Sequence, residues 1–163
     1  MNVDNTILTL SGVIQKNVLV LKRIEDFYTN FIQNELKPEL RKTEQAIVIS
    51  DLICNYYTCL ETIFLRISQF FENNLKPDKW HQDLLQKMTI RIKTIRPAVI
   101  SDETYPILLE LLKFRHFKRY YFEFNYDWDK LEFIQKKFKQ LSPFLYKDLE
   151  EFEIFLQNIL ESA

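Results

Sequence analysis

The chain has a single glycine, Gly12, among 163 residues, and only five prolines. Sheet proteins need glycine for the tight turns between strands, so this scarcity predicts long helices joined by few loops. It also excludes a glycine-rich phosphate loop and a glycine-rich dinucleotide-binding motif, because both require several glycines at fixed spacing. We therefore expect an all-α protein.

Cysteine and histidine are equally scarce, with two of each. Cys54 and Cys59 lie five residues apart in a segment that we expect to be helical, so they point in different directions. We interpret them as small hydrophobic residues of a protein in a reducing compartment. No Cys-x-x-Cys pair or nearby histidine completes a set of metal ligands, so no metal and no cofactor is predicted.

No charge of one sign is in excess, since 22 basic and 23 acidic residues give a formal net charge of −1. Any contact with nucleic acid must therefore come from a local basic patch. The N-terminus lacks a basic region followed by a cleavable apolar core. We also expect no apolar run near the ~20 residues that span a bilayer. The predicted location is the cytoplasm, with no membrane partner.

Apolar side chains, by contrast, are abundant: 47% of the residues are hydrophobic and 15% are aromatic. This composition favours a folded core, and the length favours one domain over residues 1–163. Apolar residues recur at three- and four-residue spacing, which predicts helices. The expected helices are Asp4–Glu35, a second that starts between Pro38 and Thr43 and ends near Glu72, a short one at Trp80–Arg91, a fourth from about Ser101, and a last one capped by Asp127.

This order of helices predicts an up-and-down bundle of four main helices plus one short helix. Pro143 falls within the last helix and predicts a kink or a short interruption. The second helix has the widest apolar stripe, so we expect it to be the most buried. Glu61 and Arg66 lie beside that stripe and are interpreted as solvated residues. His81, in the first turn of the short helix, is interpreted as a surface or capping residue.

Residues 113–122 read Lys-Phe-Arg-His-Phe-Lys-Arg-Tyr-Tyr-Phe, a mixture of basic and aromatic side chains near the end of the fourth helix. Arg115 and Arg119 lie near one line on that helix, at the edge of an apolar stripe. A guanidinium there must reach solvent, find a carboxylate or face a groove, where it could bind phosphate. The simpler alternative is that the basic residues only suit the helix C-terminus and the aromatic residues belong to the core.

Five segments between Tyr56 and Leu131 stand out as a set: residues 56–67, 80–81, 95–101, 114–117 and 126–131. Together they resemble the HepT-like proteins of the HEPN superfamily. These proteins are helical toxins that pair with small nucleotidyltransferase antitoxins. The resemblance implies a HEPN-type bundle, a homodimer with the active motifs near its interface, and a nucleotidyltransferase partner.

The active motif of that family is an arginine, four residues, a histidine, one residue and a tyrosine. Aligned on Arg115, the histidine position is Tyr120 and the tyrosine position is Phe122. The resemblance implies metal-independent RNA cleavage, with the arginine stabilising charge and the histidine moving a proton. Tyrosine, with an ordinary pKa of about 10, is a poor general base. Ribonuclease activity is therefore predicted to be weak or absent, unless His116 acts as the base from a shifted position.

The predicted site residues fall into three groups. The degenerate catalytic motif is Arg115, His116 and Tyr120; the RNA-contacting residues are Arg115, Lys118, Arg119 and Arg96; and Tyr120 and Tyr121 are candidates for the adenylate that the family's tyrosine accepts, because Phe122 has no hydroxyl. The predicted function is an RNA-directed component of a toxin–antitoxin pair. Two alternatives stay open: a non-catalytic interaction protein that dimerises or binds a nucleotidyltransferase, and an RNA-binding module without cleavage.

Overall fold

Five α-helices make up the regular structure of the residues that this computed structural model describes, which are 3–34, 41–72, 80–121 and 123–162. Within those ranges no β-strand occurs. The prediction of an all-α protein is therefore confirmed. In chain order the helices are α1 (Val3–Asn34), α2 (Thr43–Phe71), α3 (Trp80–Met88), α4 (Thr104–Tyr120) and α5 (Trp128–Ser162).

The bounds agree closely with the predicted ones except at the end of α3 and the start of α4. α3 ends at Met88 because the chain then folds back on itself. Ile92 and Arg96 exchange two backbone hydrogen bonds, of 2.9 and 3.0 Å, around Thr94, whose φ is 67°. Ser101 precedes α4 and its hydroxyl accepts a hydrogen bond from the Thr104 amide at 3.3 Å, as expected of a cap.

α2 is the central helix of the fold, because it contacts all four other helices. Thirteen of its 29 residues are buried, a larger share than in any other helix described, which confirms the prediction that this helix is the most buried. One hydrophobic core joins nine of these residues to residues from α1, α3, α4 and α5. The tyrosines of this helix, Tyr56 and Tyr57, are among the largest side chains that are almost completely buried. A functional side chain on α2 is thus held in a rigid, densely packed part of the protein.

The expectation that no apolar run comes near the length that spans a bilayer is wrong for α2. By length and composition this helix passes such a test, with a mean hydropathy of 1.2 in its most apolar window. Half of that window is buried inside the bundle. The core helix of a globular protein has these same properties, since it must bury apolar residues on most of its surface.

α5 begins and continues much as its sequence suggests. The Asp127 carboxylate accepts hydrogen bonds from the amides of Asp129 and Lys130, at 3.0 and 3.3 Å, and so caps the helix. Pro143 lies inside α5, and the helix runs through it. The predicted alternative of an interruption is therefore wrong.

α4 is anchored to α5 by a buried carboxylate. Asp148 of α5 accepts hydrogen bonds from the amide and the hydroxyl of Ser101, at 2.9 and 3.0 Å, and from the Thr104 hydroxyl at 2.5 Å. A carboxylate near a helix N-terminus also interacts favourably with the helix dipole. This contact fixes the start of α4, and hence the position of the basic residues at its other end.

Candidate functional site

Glu61 lies on the inner side of α2, although it was interpreted as a solvated residue. Its side chain is only 7% exposed. The reason is visible in the helix: Tyr57, four residues before it, and Phe64, three residues after it, are both buried and share its side of α2. The interpretation of Glu61 is therefore wrong, whereas Arg66 is exposed as expected. A carboxylate buried this far needs a charged or hydrogen-bonding partner.

Arg115 of α4 supplies that partner. Its Nη1 donates to Oε1 of Glu61 at 2.9 Å and its Nη2 donates to Oε2 at 3.0 Å. Nη1 also lies 3.3 Å from the hydroxyl of Thr58. The two parallel bonds form a fork between guanidinium and carboxylate, which is the geometry that arginine makes best. Of the options left open for Arg115, the structure shows the carboxylate, and the side chain also lines a cleft.

His81 completes a three-residue cluster with this pair. Its Nδ1 lies 2.7 Å from Oε2 of Glu61 and 3.0 Å from Nη2 of Arg115. The imidazole also packs against the ring of Trp80, with 3.7 Å between ring centroids. Its side chain is 31% exposed. The interpretation of His81 as a simple surface or capping residue is therefore wrong, because the ring is held by α2 and α4.

Arg115 packs over an aromatic side chain, the ring of Tyr57. Its guanidinium carbon lies 5.0 Å from the centroid of the Tyr57 ring, within the range of a cation–π contact. Burial, with a further contribution from the nearby Glu61 charge, raises the pKa of Tyr57 well above its ordinary value. This hydroxyl therefore stays protonated at neutral pH. Tyr57 supports the guanidinium and does not act as a proton acceptor.

The cluster opens into a cleft of about 380 Å³ between α2, α3 and α4. Most of its polar lining is basic or can become so. Burial raises the pKa of the Cys54 thiol in this lining to about 11, so the thiol is un-ionised at neutral pH. The lining residues are Cys54, Thr58, His81, Leu112, Arg115, His116, Lys118 and Arg119.

Four predicted site residues therefore meet in one place. Arg115, His116, Lys118 and Arg119 all line this cleft. Lys118 also pairs with the exposed Asp51 of α2, at 2.8 Å. Because Lys118 and Arg119 occupy the last turn of α4, they also lie where the helix dipole favours positive charge.

The two tyrosines at the end of α4 do not line this cleft. Tyr120 is 61% exposed, and its ring contacts the His116 ring at 5.0 Å. Tyr121 donates a hydrogen bond to the backbone carbonyl of Asn125 at 2.5 Å and stacks on Phe117. It lines a second, more apolar pocket of about 460 Å³ between α4 and α5. Phe122, at the motif's tyrosine position, lies outside the described residues.

Arg96 is far more enclosed than an RNA-contacting residue should be. Its side chain is 0% exposed and forms an ion pair with Glu72, directly after α2. Its remaining donors reach the backbone carbonyls of Lys87, Ile90 and Pro97 at 3.0 to 3.1 Å. The prediction that Arg96 contacts RNA is thus wrong for this conformation, because the guanidinium is fully occupied in fastening the segment after α3.

Sequence reasoning missed Glu61 and His81 for different reasons. A signal for Glu61 was present, since Tyr57 and Phe64 flank it at helical spacing and both are large apolar residues. No local pattern could have joined His81 to Glu61, because the two are twenty residues apart and belong to different helices. Among the described residues no group of His, Cys, Asp and Glu could hold a metal ion.

A family model described as HepT-like protein matches residues 48–156. The chain belongs to the HepT-like family. The matched range contains Glu61, His81 and Arg115, so the cluster lies within the part of the chain that defines this HepT-like protein. The resemblance inferred from the sequence is confirmed. No curated protein and no solved structure matches the chain.

Within this HepT-like protein the cluster has two chemical abilities. Arginine next to a cleft can stabilise negative charge on a phosphate, even when one edge of it is held by a carboxylate. A histidine next to a carboxylate can accept or donate a proton near neutral pH. Both groups occur here within one cluster.

Proposed function

We propose that this protein is the RNA-directed component of a toxin–antitoxin pair, with weak metal-independent ribonuclease activity. Its partner is a small nucleotidyltransferase, and it acts as a homodimer in the cytoplasm. The observation that carries the proposal is the cleft. Its lining includes Arg115, which stands at the position of the motif arginine, together with Lys118 and Arg119. Such a group of cations binds phosphate oxygens whatever the base sequence.

The charge distribution supports RNA contact despite the neutral chain. Glu61 offsets the charge of Arg115, and Asp51 that of Lys118. Arg119 is exposed, and its guanidinium lies 5.9 Å from the centroid of the Tyr120 ring. An exposed arginine beside an exposed tyrosine offers both a phosphate contact and a stacking surface for an unpaired base. We therefore propose single-stranded RNA as the ligand.

The position of Tyr120 supports weak cleavage. This residue takes the place of the motif histidine, and it does not line the cleft that Arg115 faces. Tyrosine is also a poor proton acceptor at neutral pH. Loss of the histidine therefore lowers the rate without removing the cations that bind RNA.

Salt-dependent binding to an unstructured RNA tests the proposed function. Arg119→Ala should weaken binding and reduce the dependence of log affinity on log salt by about one phosphate contact. Lys147→Ala is the matched control, because it removes an exposed charge of the same sign on α5. Binding that is independent of salt, or equally weakened by both changes, would contradict an RNA site in the cleft.

We further propose Tyr120 as the residue that a nucleotidyltransferase partner adenylylates. Its side chain is exposed, whereas the Tyr121 hydroxyl is engaged with the Asn125 carbonyl. Intact-mass measurement after incubation with the partner and ATP should show an added adenylate in the wild type and in Tyr121→Phe. The addition should disappear in Tyr120→Phe. The opposite pattern would identify Tyr121 as the acceptor.

A second candidate function is a non-catalytic interaction protein. It is favoured by the exposed aromatic side chains Phe117 and Phe133, which line the second pocket. Exposed apolar patches of this kind often mark contacts between proteins. Phe133→Ser should then shift a homodimer to monomer in sedimentation, or abolish co-purification with the nucleotidyltransferase, without changing RNA affinity. A dimer and a complex that both survive the change would remove support for this candidate.

A further inference from the structure

The motif histidine is missing from α4, yet the chain has a histidine on each side of Arg115 in space. His116 follows Arg115 on α4; it is exposed, and its ring contacts the Tyr120 ring. His81 comes from α3 and makes close contacts with both Glu61 and Arg115. Both histidines line the cleft. They differ in one respect: within the described contacts a carboxylate orients the His81 ring, and none orients the His116 ring.

The contacts of Nδ1 determine where the proton of a neutral His81 ring lies. The Glu61 carboxylate can only accept a hydrogen bond, and the Arg115 guanidinium can only donate one. The 2.7 Å distance to Glu61 is the shorter of the two contacts of Nδ1, and the one to Arg115 is 3.0 Å. A lone pair on Nδ1 would face the carboxylate at that short distance, which is unfavourable. The proton therefore lies on Nδ1, and Nε2 carries the lone pair.

Nε2 is consequently the ring nitrogen left for a substrate in the cleft. Nδ1 is occupied by Glu61, and Nε2 points away from it on the far edge of the ring. The side chain is 31% exposed, so the ring is held in place without being sealed from solvent. A carboxylate that fixes the tautomer and stabilises the imidazolium is the usual support of a histidine base.

We infer that His81, outside the family's motif, is the general base of this site, with Glu61 as its positioning residue. The inference rests on the proposed action on RNA, and it identifies the source of the weak activity. Nε2 takes the proton of a ribose 2′-hydroxyl as its oxygen attacks the adjacent phosphorus. The bond from phosphorus to the 5′-oxygen breaks. The imidazolium returns the proton to that oxygen, giving a 2′,3′-cyclic phosphate and a 5′-hydroxyl.

Arg115 has a separate role in the same step. As the 2′-oxygen attacks, negative charge grows on the non-bridging oxygens of the phosphate, and a fixed cation nearby stabilises it. The Glu61 fork holds the guanidinium in a single orientation, so little reorganisation is needed during the reaction. Glu61 therefore positions both groups, the base from α3 and the cation from α4.

The proposed role of His81 as a base sets the expected pH dependence. The charged groups that contact its ring are Glu61 of α2 and Arg115 of α4. The basic residues His116, Lys118 and Arg119 of α4 line the same cleft. Because the base must be neutral to accept a proton, kcat/KM should rise with pH along an acid limb that reports His81.

Cleavage of an unstructured RNA without metal, measured against pH, tests the inference. His81→Gln should lower kcat/KM about 100-fold and remove the acid limb, with RNA affinity unchanged. Gln82→Ala, at the exposed position after His81 on α3, is the control and should keep both the rate and the limb. His116→Gln is measured beside it as the competing candidate for the base. Glu61→Gln, with its fold checked by circular dichroism, should lower kcat/KM, because the His81 ring and the Arg115 guanidinium lose the carboxylate that orients them. A purely structural role of His81 would not alter the shape of the profile.

The outcomes separate the inference from the proposed function. Three outcomes would overturn the inference while RNA binding is still observed. Cleavage could be unaffected by His81→Gln, cleavage could depend on His116, or the wild type could fail to cleave at all. Each of these would leave RNA recognition standing. Absence of salt-dependent RNA binding would overturn the proposed function as well. A 2′,3′-cyclic phosphate end on the product would support the proton transfer described above.

An NMR measurement tests the geometry without any activity. Long-range ¹H–¹⁵N spectra distinguish the two neutral tautomers of histidine, and the chain has only two histidines. His116→Gln assigns the remaining signals to His81. We expect the proton on Nδ1 at a pH where the ring is neutral, and loss of this preference in Glu61→Gln. A proton on Nε2 in the wild type would overturn the inference.

Discussion

Arg96 and Arg115 each pair with a glutamate on α2 or directly after it, and the surroundings of the two pairs differ. Arg96 and Glu72, at the end of α2, are sealed: the arginine side chain has no exposed surface and its donors reach three backbone carbonyls as well. Arg115 of α4 and Glu61, in the middle of α2, lie at an open cleft with His81 beside them. The Arg115 side chain is 17% exposed.

The difference shows how one kind of ion pair can be enclosed in one place and left open to a ligand in another. A sealed guanidinium with all its donors used can only hold backbone segments together. An open one keeps an edge for a ligand, and its carboxylate can orient a third residue. The prediction that both Arg96 and Arg115 contact RNA overlooked this distinction, because a sequence shows which residues are charged but not which are enclosed.

The largest expected effect is the loss of the sealed pair. Arg96→Met should lower the free energy of unfolding by about 3–5 kcal/mol, because Glu72 is left buried without its partner. Urea denaturation followed by circular dichroism measures the change. Arg91→Met is the control, since Arg91 is an exposed arginine in the same segment. A loss no larger than that of the control would show that the sealed pair does not stabilise the fold.

A smaller loss is expected at the open pair. Arg115→Met should lower the free energy of unfolding by about 1–3 kcal/mol, because Glu61 keeps its contact with His81 and water can enter through the cleft. Arg119→Met, at the exposed neighbour, should leave stability nearly unchanged. The same denaturation experiment applies. If Arg115→Met destabilises as much as Arg96→Met, the distinction between the open and sealed pairs fails.

Glu25 can be compared with Glu61 and Glu72, because its carboxylate is partly buried without an arginine partner among the described residues. Glu25 of α1 accepts a hydrogen bond from the Tyr56 hydroxyl at 2.7 Å and forms no ion pair among the described residues. Burial raises the pKa of Glu25 despite the hydrogen bonds from Tyr56, Tyr146 and Ser142, which lower it. Its contribution to stability is therefore full below the pKa of an unfolded glutamate, and it is lost as pH rises through the folded value.

Glu25→Gln should remove that part of the pH dependence. The variant keeps an oxygen that can accept from Tyr56, and it should be more stable than the wild type at neutral pH by less than the Arg115→Met effect. Thermal unfolding between pH 4 and pH 7 measures the difference, with the exposed Glu150→Gln as control. A variant that follows the wild-type curve throughout would mean that Glu25 ionises in the folded protein without penalty.

The smallest effect is expected at the exposed ion pair beside the cleft. Asp51 in the Lys118–Asp51 pair is 61% exposed, so water screens the interaction. Lys118→Met should change the free energy of unfolding by about 0.5 kcal/mol or less. Asp51→Asn should have a similarly small effect. A loss above about 1 kcal/mol in either variant would place this pair with Arg115–Glu61 and not with ordinary surface pairs.

Most of the fold followed from local patterns. The helical spacing of apolar residues predicted α1 and α2 to within a few residues, and Asp127 identified the start of α5. The fold-back around Thr94 was missed because it depends on Arg96 and the backbone groups it binds. An interruption at Pro143 was one of two alternatives expected for α5, and the helix instead continues through this residue.

The sequence by itself determined the helical class and the family, and it drew attention to Arg115, since each of these depends on residue type and spacing along the chain. Only the tertiary structure decided which residues share a site with Arg115. Glu61 lies 54 residues before it and His81 lies 34 residues before it, on separate helices. A bond between such distant residues depends on how three helices pack, which no local spacing encodes. The packing also decided that Arg96 is enclosed, because enclosure requires neighbours on every side.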